Sequence, residues 1–191
     1  MLLPDLQNRV RIALTTTIVN EWSLLSQAGG TSHPSERAVA FHLGWYLRPM
    51  VERSWNIDCE YNRSGMYLEE AVRLVDDEGR RIPDLIVHHR GKLGPEHNLL
   101  LLELATDRAD IGGAAATGDF GRARALQARF GYQYAAVLDL RLGAGREGQL
   151  LEPHWQWAKL DHDAVDEGEV YEEDVLTEII GRAENGQRLP S

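Results

Sequence analysis

Ile82-Pro83-Asp84-Leu85-Ile86-Val87 and Leu99-Leu100-Leu101-Leu102-Glu103-Leu104-Ala105 decide how this chain is read. Each is an apolar run of strand length that carries one carboxylate, and Glu103 falls 19 residues after Asp84. A carboxylate inside a buried strand is costly unless something pairs with it. Side chains alternate along a strand. Ile82, Asp84, Ile86 and His88 are therefore expected on one face, and Leu99, Leu101, Glu103 and Ala105 on one face of the second strand. If the strands pair, Asp84 and Glu103 point into the same pocket. Two hard oxygen ligands, a backbone carbonyl and waters are what Mg²⁺ accepts. A cation held there polarises a phosphoryl oxygen and lowers the pKa of a bound water. The plainer reading is that each acid caps a strand or pairs with a surface arginine.

Outward from this pair, the pattern alternates between helical and strand-like segments. Leu6, Val10, Ala13, Leu14, Thr17, Ile18, Trp22 and Leu25 recur at three- and four-residue spacing, which predicts an N-terminal helix over 5–27. A second helix is expected to begin between Ser32 and Ser35, with Pro34 in its first turn and Pro49 close to its end. Glu36, Val39, Ala40 and Leu43 fall at i, i+3, i+4 and i+7, which sets an acid on the inward stripe. The alternative for Glu36 is a first-turn glutamate favoured by the helix dipole. Strands are expected at Asn56–Tyr61, Val72–Val75, Ile82–His89 and Leu99–Ala105, with a turn at Asp76–Gly79. The run Leu99–Leu102 does not alternate, which predicts a central strand covered on both faces. Asp107–Gly118 reads as a loop, Asp119–Phe130 as a helix, Tyr132–Leu142 as a strand and Trp155–Leu160 as one more. Glu172–Glu184 reads as a closing helix and Gly186–Ser191 as a frayed tail. Helices on a mixed sheet predict an α/β (α+β) sandwich, and no linker divides the chain.

The bulk properties narrow the function classes. With 191 residues, the chain is long enough for one domain with a sizeable core. Its formal net charge of −10 argues against coating nucleic acid through a broad basic surface, since phosphate binding rests on Lys and Arg. It leaves room for a local basic groove. Cys59 is the single cysteine, so no internal disulfide and no Cys-rich zinc site can form, which fits a reducing cytoplasm. No signal peptide is expected at the N-terminus. No apolar run approaches the roughly 20 residues of a membrane helix, so no membrane role is expected.

Three stretches carry a resemblance. Asp58-Cys59-Glu60-Tyr61-Asn62-Arg63, Arg80 through Gly91, and Asn98 through Leu104 resemble small PD-(D/E)XK nuclease-like proteins of bacteria and phages. Asp119 to Leu126 and Phe130 to Tyr134 resemble the helix and strand that follow the second acid in that superfamily. The likeness runs from about Glu36 to Leu142. It implies a restriction-endonuclease-like three-layer sandwich over 1–191. The core lies at about 32–142, with a C-terminal strand and helix over 154–185. It implies that Glu36 matches the acid on the first core helix, and that Asp84 and Glu103 are metal-binding acids joined by the Leu104 carbonyl. The metal would be Mg²⁺ or Mn²⁺ and the substrate nucleic acid. The family's lysine, which orients or activates the attacking water, falls at Ala105. Either a cation reaches the pocket from elsewhere or the fold survives for binding, through a protein partner or a homodimer. Arg122 is the first choice of cation and Arg124 the second, ahead of Arg90 and Lys92. A third reading is a hydrolase of small phosphorylated substrates.

The remaining features are expected to be structural. His88 and His89 point to opposite faces and cannot act as a pair. His162 lies in a polar turn, and Cys59 reads as a small buried hydrophobe. Gly112–Gly118 is a flexible loop rather than a phosphate cradle. Trp155 and Trp157 share a strand face, where they could stack bases or pack in a core or dimer. Asp163–Asp174 holds seven acids and reads as a solvated surface.

Overall fold

The computed structural model describes residues 1–21, 24, 35–61, 63–64, 72–73, 82–106, 114–142, 150–162 and 165–168. Helix α1 (Leu3–Asn20) turns Leu6, Val10, Ala13, Leu14 and Ile18 inward at the spacing of one helical face. Its Thr17 hydroxyl, also buried, donates to the Ala13 carbonyl at 2.8 Å, so no polar group is stranded there. Helix α2 (Glu36–Leu47) buries Val39, Ala40, Leu43 and Leu47. Ser35 is its N-cap residue but makes no side-chain cap bond. Gly44 is where α2 meets the sheet. A Cβ there would lie 3.2 Å from Leu85 Cδ1 and 3.3 Å from Ile57 Cγ2, so a side chain would push the layers apart. A 3₁₀ turn, Arg48–Met50, carries Pro49 and ends the helical run.

The strands are β1 (Asn56–Cys59), β2 (Arg63–Ser64), β3 (Val72–Arg73), β4 (Leu85–His88), β5 (Asn98–Ala105), β6 (Tyr134–Leu142), β7 (Leu150–Lys159) and β8 (Val165–Gly168). Helix α3 (Ala114–Phe130) joins β5 to β6. Among the described residues, six strands form one sheet in the order β1-β4-β5-β6-β7-β8, and β2 and β3 form a separate pair. Only β5 and β6 run parallel, as a strand–helix–strand crossover requires; the other pairs are antiparallel.

Helices cover both faces. Leu85, Val87, Leu100, Leu102, Leu104, Ala136, Leu138, Trp155 and Trp157 join α1 and α2 in the larger core. Ile86, Leu101, Ala135, Val137 and Ala158 join Ala123, Leu126 and Phe130 of α3 in the smaller one. The protein is thus an α+β sandwich in which the non-alternating run Leu99–Leu102 is buried on both sides, as expected of a central strand. Trp155 and Trp157 are fully buried with ring centroids 5.4 Å apart, which settles them as core rather than base-stacking residues. No helix among the described residues is long and apolar enough to cross a membrane.

Several expectations need correction. Leu99 does not share a face with Leu101. His88 pairs with Asn98 and Val87 with Leu100, so Leu99 is the extra residue of a bulge and joins the larger core. Helix α3 begins at Ala114, inside the segment read as loop, because its alanines are strong helix formers despite the flanking glycines. Strand β7 begins at Leu150 rather than Trp155 because β6 templates its full length. Part of the acidic segment, 165–168, is an edge strand on β7. Glu36 is exposed rather than inward-facing. The readings at 22–23 and 25–34, 76–79, 107–113 and 169–191 lie outside the described residues.

Candidate functional site

The site begins where the β4–β5 ladder stops. Leu85 pairs with Leu102, so Asp84 lies opposite Glu103 one step beyond the last paired residues. Pro83 has no N–H to donate, so the ladder cannot continue through it. The Leu104 N–H, which would otherwise meet β4 backbone, donates to Asp84 Oδ2 at 2.7 Å. A strand residue's N–H and C=O point to the same edge. The Leu104 carbonyl therefore also faces Pro83, which offers it no donor. On the other side, the Asp84 carbonyl accepts from the Glu60 N–H at 3.1 Å, which ties the site to the end of β1. Glu60 sits there with φ +47, a left-handed conformation uncommon for a residue with a side chain.

Helix α3 brings the cation. It ends with Gly131 at φ +69, and the Tyr132 N–H donates to the Gln127 carbonyl at 3.1 Å, a Schellman closure. Asn98 Nδ2, at the start of β5, donates to the Phe130 carbonyl at 2.7 Å and pins that helix end to the sheet. The bulge at Leu99 is what lets Asn98 face α3 on the same side as Leu101 and Glu103. From Phe130 back to Arg122 the helix covers about 12 Å. From Asn98 on to Glu103, β5 covers about 16 Å. Arg122 therefore lands over Glu103: its Nη2 donates to Glu103 Oε2 at 3.2 Å and its Nη1 to Asp119 Oδ1 at 2.7 Å. Arg124, the second choice from sequence, is exposed and donates instead to the His162 carbonyl at 3.3 Å. Arg90 is bound to Asp58, and Lys92 is exposed.

Charge is concentrated around Asp84. Burial pushes its carboxyl up, with Glu36 and Glu60 adding to the rise, against the Leu104 N–H bond and the Arg122 charge; the result is about 6. Glu36 thus acts on Asp84 electrostatically from the first turn of α2. Glu60 is held by Arg37, whose Nε donates to Glu60 Oε1 at 2.6 Å. Ala105 is buried and pairs with Asp139 of β6.

A second polar cluster lies on the same sheet face. His88 is buried, and its Nε2 is 2.8 Å from Asp58 Oδ2, while Arg90 holds both Asp58 oxygens. Burial alone would raise the Asp58 carboxyl, but Arg90 and His88 outweigh it and hold it well below the usual range. His89 turns the other way and stacks on Trp55 at 4.0 Å, so the two histidines diverge as alternation requires. Cys59 is half-buried; burial, then Asp58, Asp84 and Glu60, push its thiol up to about 11.

Glu60, Arg37 and Asp119 were not singled out from sequence. Asp119 had a legible signal, the i,i+3 spacing to Arg122. Glu60 and Arg37 meet only through the packing of α2 on β1. Among the described residues no three His, Cys, Asp or Glu side chains converge as a metal-holding group. The register sets Asp84 opposite Glu103, and each carboxylate has its own partner, the Leu104 N–H for Asp84 and Arg122 for Glu103. No protein-family model, curated protein or solved structure matches this chain.

Proposed function

We propose that this chain is a nuclease of the PD-(D/E)XK type, hydrolysing nucleic acid phosphodiesters with Mg²⁺ or Mn²⁺. The observation that carries the reading is the opposition of Asp84 and Glu103 at a ladder end where the Leu104 N–H donates to Asp84. The chain order α2, β1, β4, β5, α3, β6, with a helix acid, then an acid just before β4 and one in β5, supports it. Asp84, Glu103 and the Leu104 carbonyl would hold the metal, which supplies polarisation of a phosphoryl oxygen and a water of lowered pKa. Glu36 assists from the helix terminus by positioning water or metal. Arg122 stabilises phosphate charge. It cannot act as a proton acceptor, because a guanidinium stays protonated. The single cysteine, with its raised thiol pKa, fits work in a reducing cytoplasm.

The test is cleavage of plasmid, single-stranded DNA and RNA with Mg²⁺ or Mn²⁺, beside Asp84→Ala and Glu103→Ala. The reading expects cleavage that both variants lose. Full metal-dependent cleavage by the variants would sink it.

One observation favours a silent binding domain instead. Ala105 supplies no cation, and Arg122 is already engaged by Glu103 and Asp119. Ala105→Lys separates the two readings. A rise in cleavage means an otherwise intact pocket, whereas no gain with the fold preserved means a domain kept for a protein partner or a second copy of itself.

A further inference from the structure

Helix α2 carries an exposed stripe that leads away from the carboxylates. Arg37, Phe41 and Trp45 of α2 and the half-buried Arg48 of the 3₁₀ turn follow one another at four, four and three residues, the spacing of one helix face. Phe41 is 55% exposed and Trp45 66%, in a protein that buries Trp55, Trp155 and Trp157. The two exposed rings lie 6.3 Å apart between centroids and 29° from parallel. Arginines bracket them. Arg37 binds Glu60, whose N–H binds the Asp84 carbonyl, so the stripe begins at the candidate site. At the far end Arg48 donates to the carbonyls of Glu52 and Arg53, neutral partners that leave its charge in place. Residues 36–53 hold three arginines against two glutamates, within a chain whose net charge is −10.

We infer that this stripe is a stacking platform for single-stranded nucleic acid, which directs an unpaired strand toward Asp84 and Glu103. The inference deepens the nuclease reading and rests on it for the strand's destination. Aromatic faces stack on any unpaired base, and guanidinium groups contact the flanking phosphates. Duplex bases hide their faces in the stack, so a pair of rings on a helix surface has nothing to offer them. A second copy of this chain fits less well. A stable dimer buries about 800 Å² per partner, while two aromatic side chains supply at most roughly 250 Å² each. A two-fold contact of the stripe with itself would also set arginine ends against arginine ends.

The test uses the full chain in EDTA, where metal-dependent cleavage is off, and a fluorescently labelled oligothymidylate read by anisotropy. Wild type should bind the single strand. Phe41→Ala and Trp45→Ala should each weaken binding by about tenfold. Arg48→Ala should reduce the dependence on salt by about one phosphate contact. Binding to a duplex of the same length should not respond to Trp45→Ala. Circular dichroism checks that these surface variants stay folded. No binding by wild type, or equal binding by both ring variants, overturns the inference. So does a wild-type dimer in sedimentation that Trp45→Ala dissociates. Asp84→Ala tells the two readings apart: it should keep binding and lose cleavage. Ring-dependent binding by a wild type that cleaves nothing would leave the platform standing and remove the nuclease.

Discussion

Leu100, Leu102 and Leu104 turn from β5 into the larger core under α1 and α2, while Leu101 and Glu103, one position out of phase, turn toward α3. The face under α1 and α2 holds only apolar side chains along β4 and β5. The face under α3 is apolar where Ile86 and Leu101 meet Leu126 and Phe130, then polar at both ends: Asp58 and His88 at one, Asp84 and Glu103 at the other. One face has the area to stabilise the fold. The other gives up part of that area to carboxylates whose desolvation must be offset by Arg122, Arg90 and backbone N–H groups. The division lets charged groups occupy the sheet without breaking its core.

Truncation on the apolar face should cost most. Leu102 is fully buried, and Leu102→Ala should lower unfolding free energy by about 2–5 kcal/mol in urea titration. A loss under about 1 kcal/mol would mean that this face is not the stabilising one. Next comes the buried ion pair. Arg122→Leu alone should destabilise by roughly 3 kcal/mol, because it removes a guanidinium from a buried carboxylate. Arg122→Leu with Glu103→Leu should recover most of that loss, and a double-mutant cycle measures the coupling.

Titration sharpens the contrast between the two polar ends. Asp84 has a folded pKa of about 6 against an ordinary 3.8, so the native state binds more protons than the unfolded chain between those values. Stability should therefore fall as pH rises from about 4 through 6, by up to about 3 kcal/mol, and then level off. Asp58 is shifted the other way, so its contribution is present above the ordinary carboxyl range and lost as pH falls below it. Asp84→Asn should remove the first slope and Asp58→Asn the second, as read from denaturation midpoints across pH. If Asp84→Asn leaves the slope between pH 4 and 6 untouched, the buried carboxyl that titrates there is not Asp84.

The smallest effect is expected at the start of α2. An N-cap serine replaced by alanine usually costs about 0.5–2 kcal/mol. Ser35 makes no cap bond, so Ser35→Ala should change stability by less than about 0.5 kcal/mol. A larger loss would show that the helix terminus beside Asp84 depends on that hydroxyl.

Much of this architecture was legible in the chain. The spacing of Leu6, Val10, Ala13 and Leu14, the apolar run of β5 and the apolar stretch of β6 each report a local period that burial imposes directly on sequence. Asp84 and Glu103 stood out for the same reason, as carboxylates in runs otherwise apolar, and Arg122 was reachable from the packing of the following helix over those strands. Other features had no local signature. The bulge at Leu99 interrupts no sequence pattern, because every neighbour is leucine. Strand β8 exists because β7 offers an edge, not because its acidic sequence favours a strand. Asp58 met His88 and Arg90, and Glu60 met Arg37, only when β1 paired with β4 and α2 packed on both.

The sequence by itself determined most of the apolar core and which apolar runs carry acids, since periodicity and polarity are local properties. The tertiary structure alone decided the register that sets Asp84 opposite Glu103, the burial that with Glu36 and Glu60 raises the Asp84 pKa, and the seat of Arg122 on Glu103. Those outcomes depend on register, helix placement and distance, and electrostatic energy follows separation in space rather than along the chain.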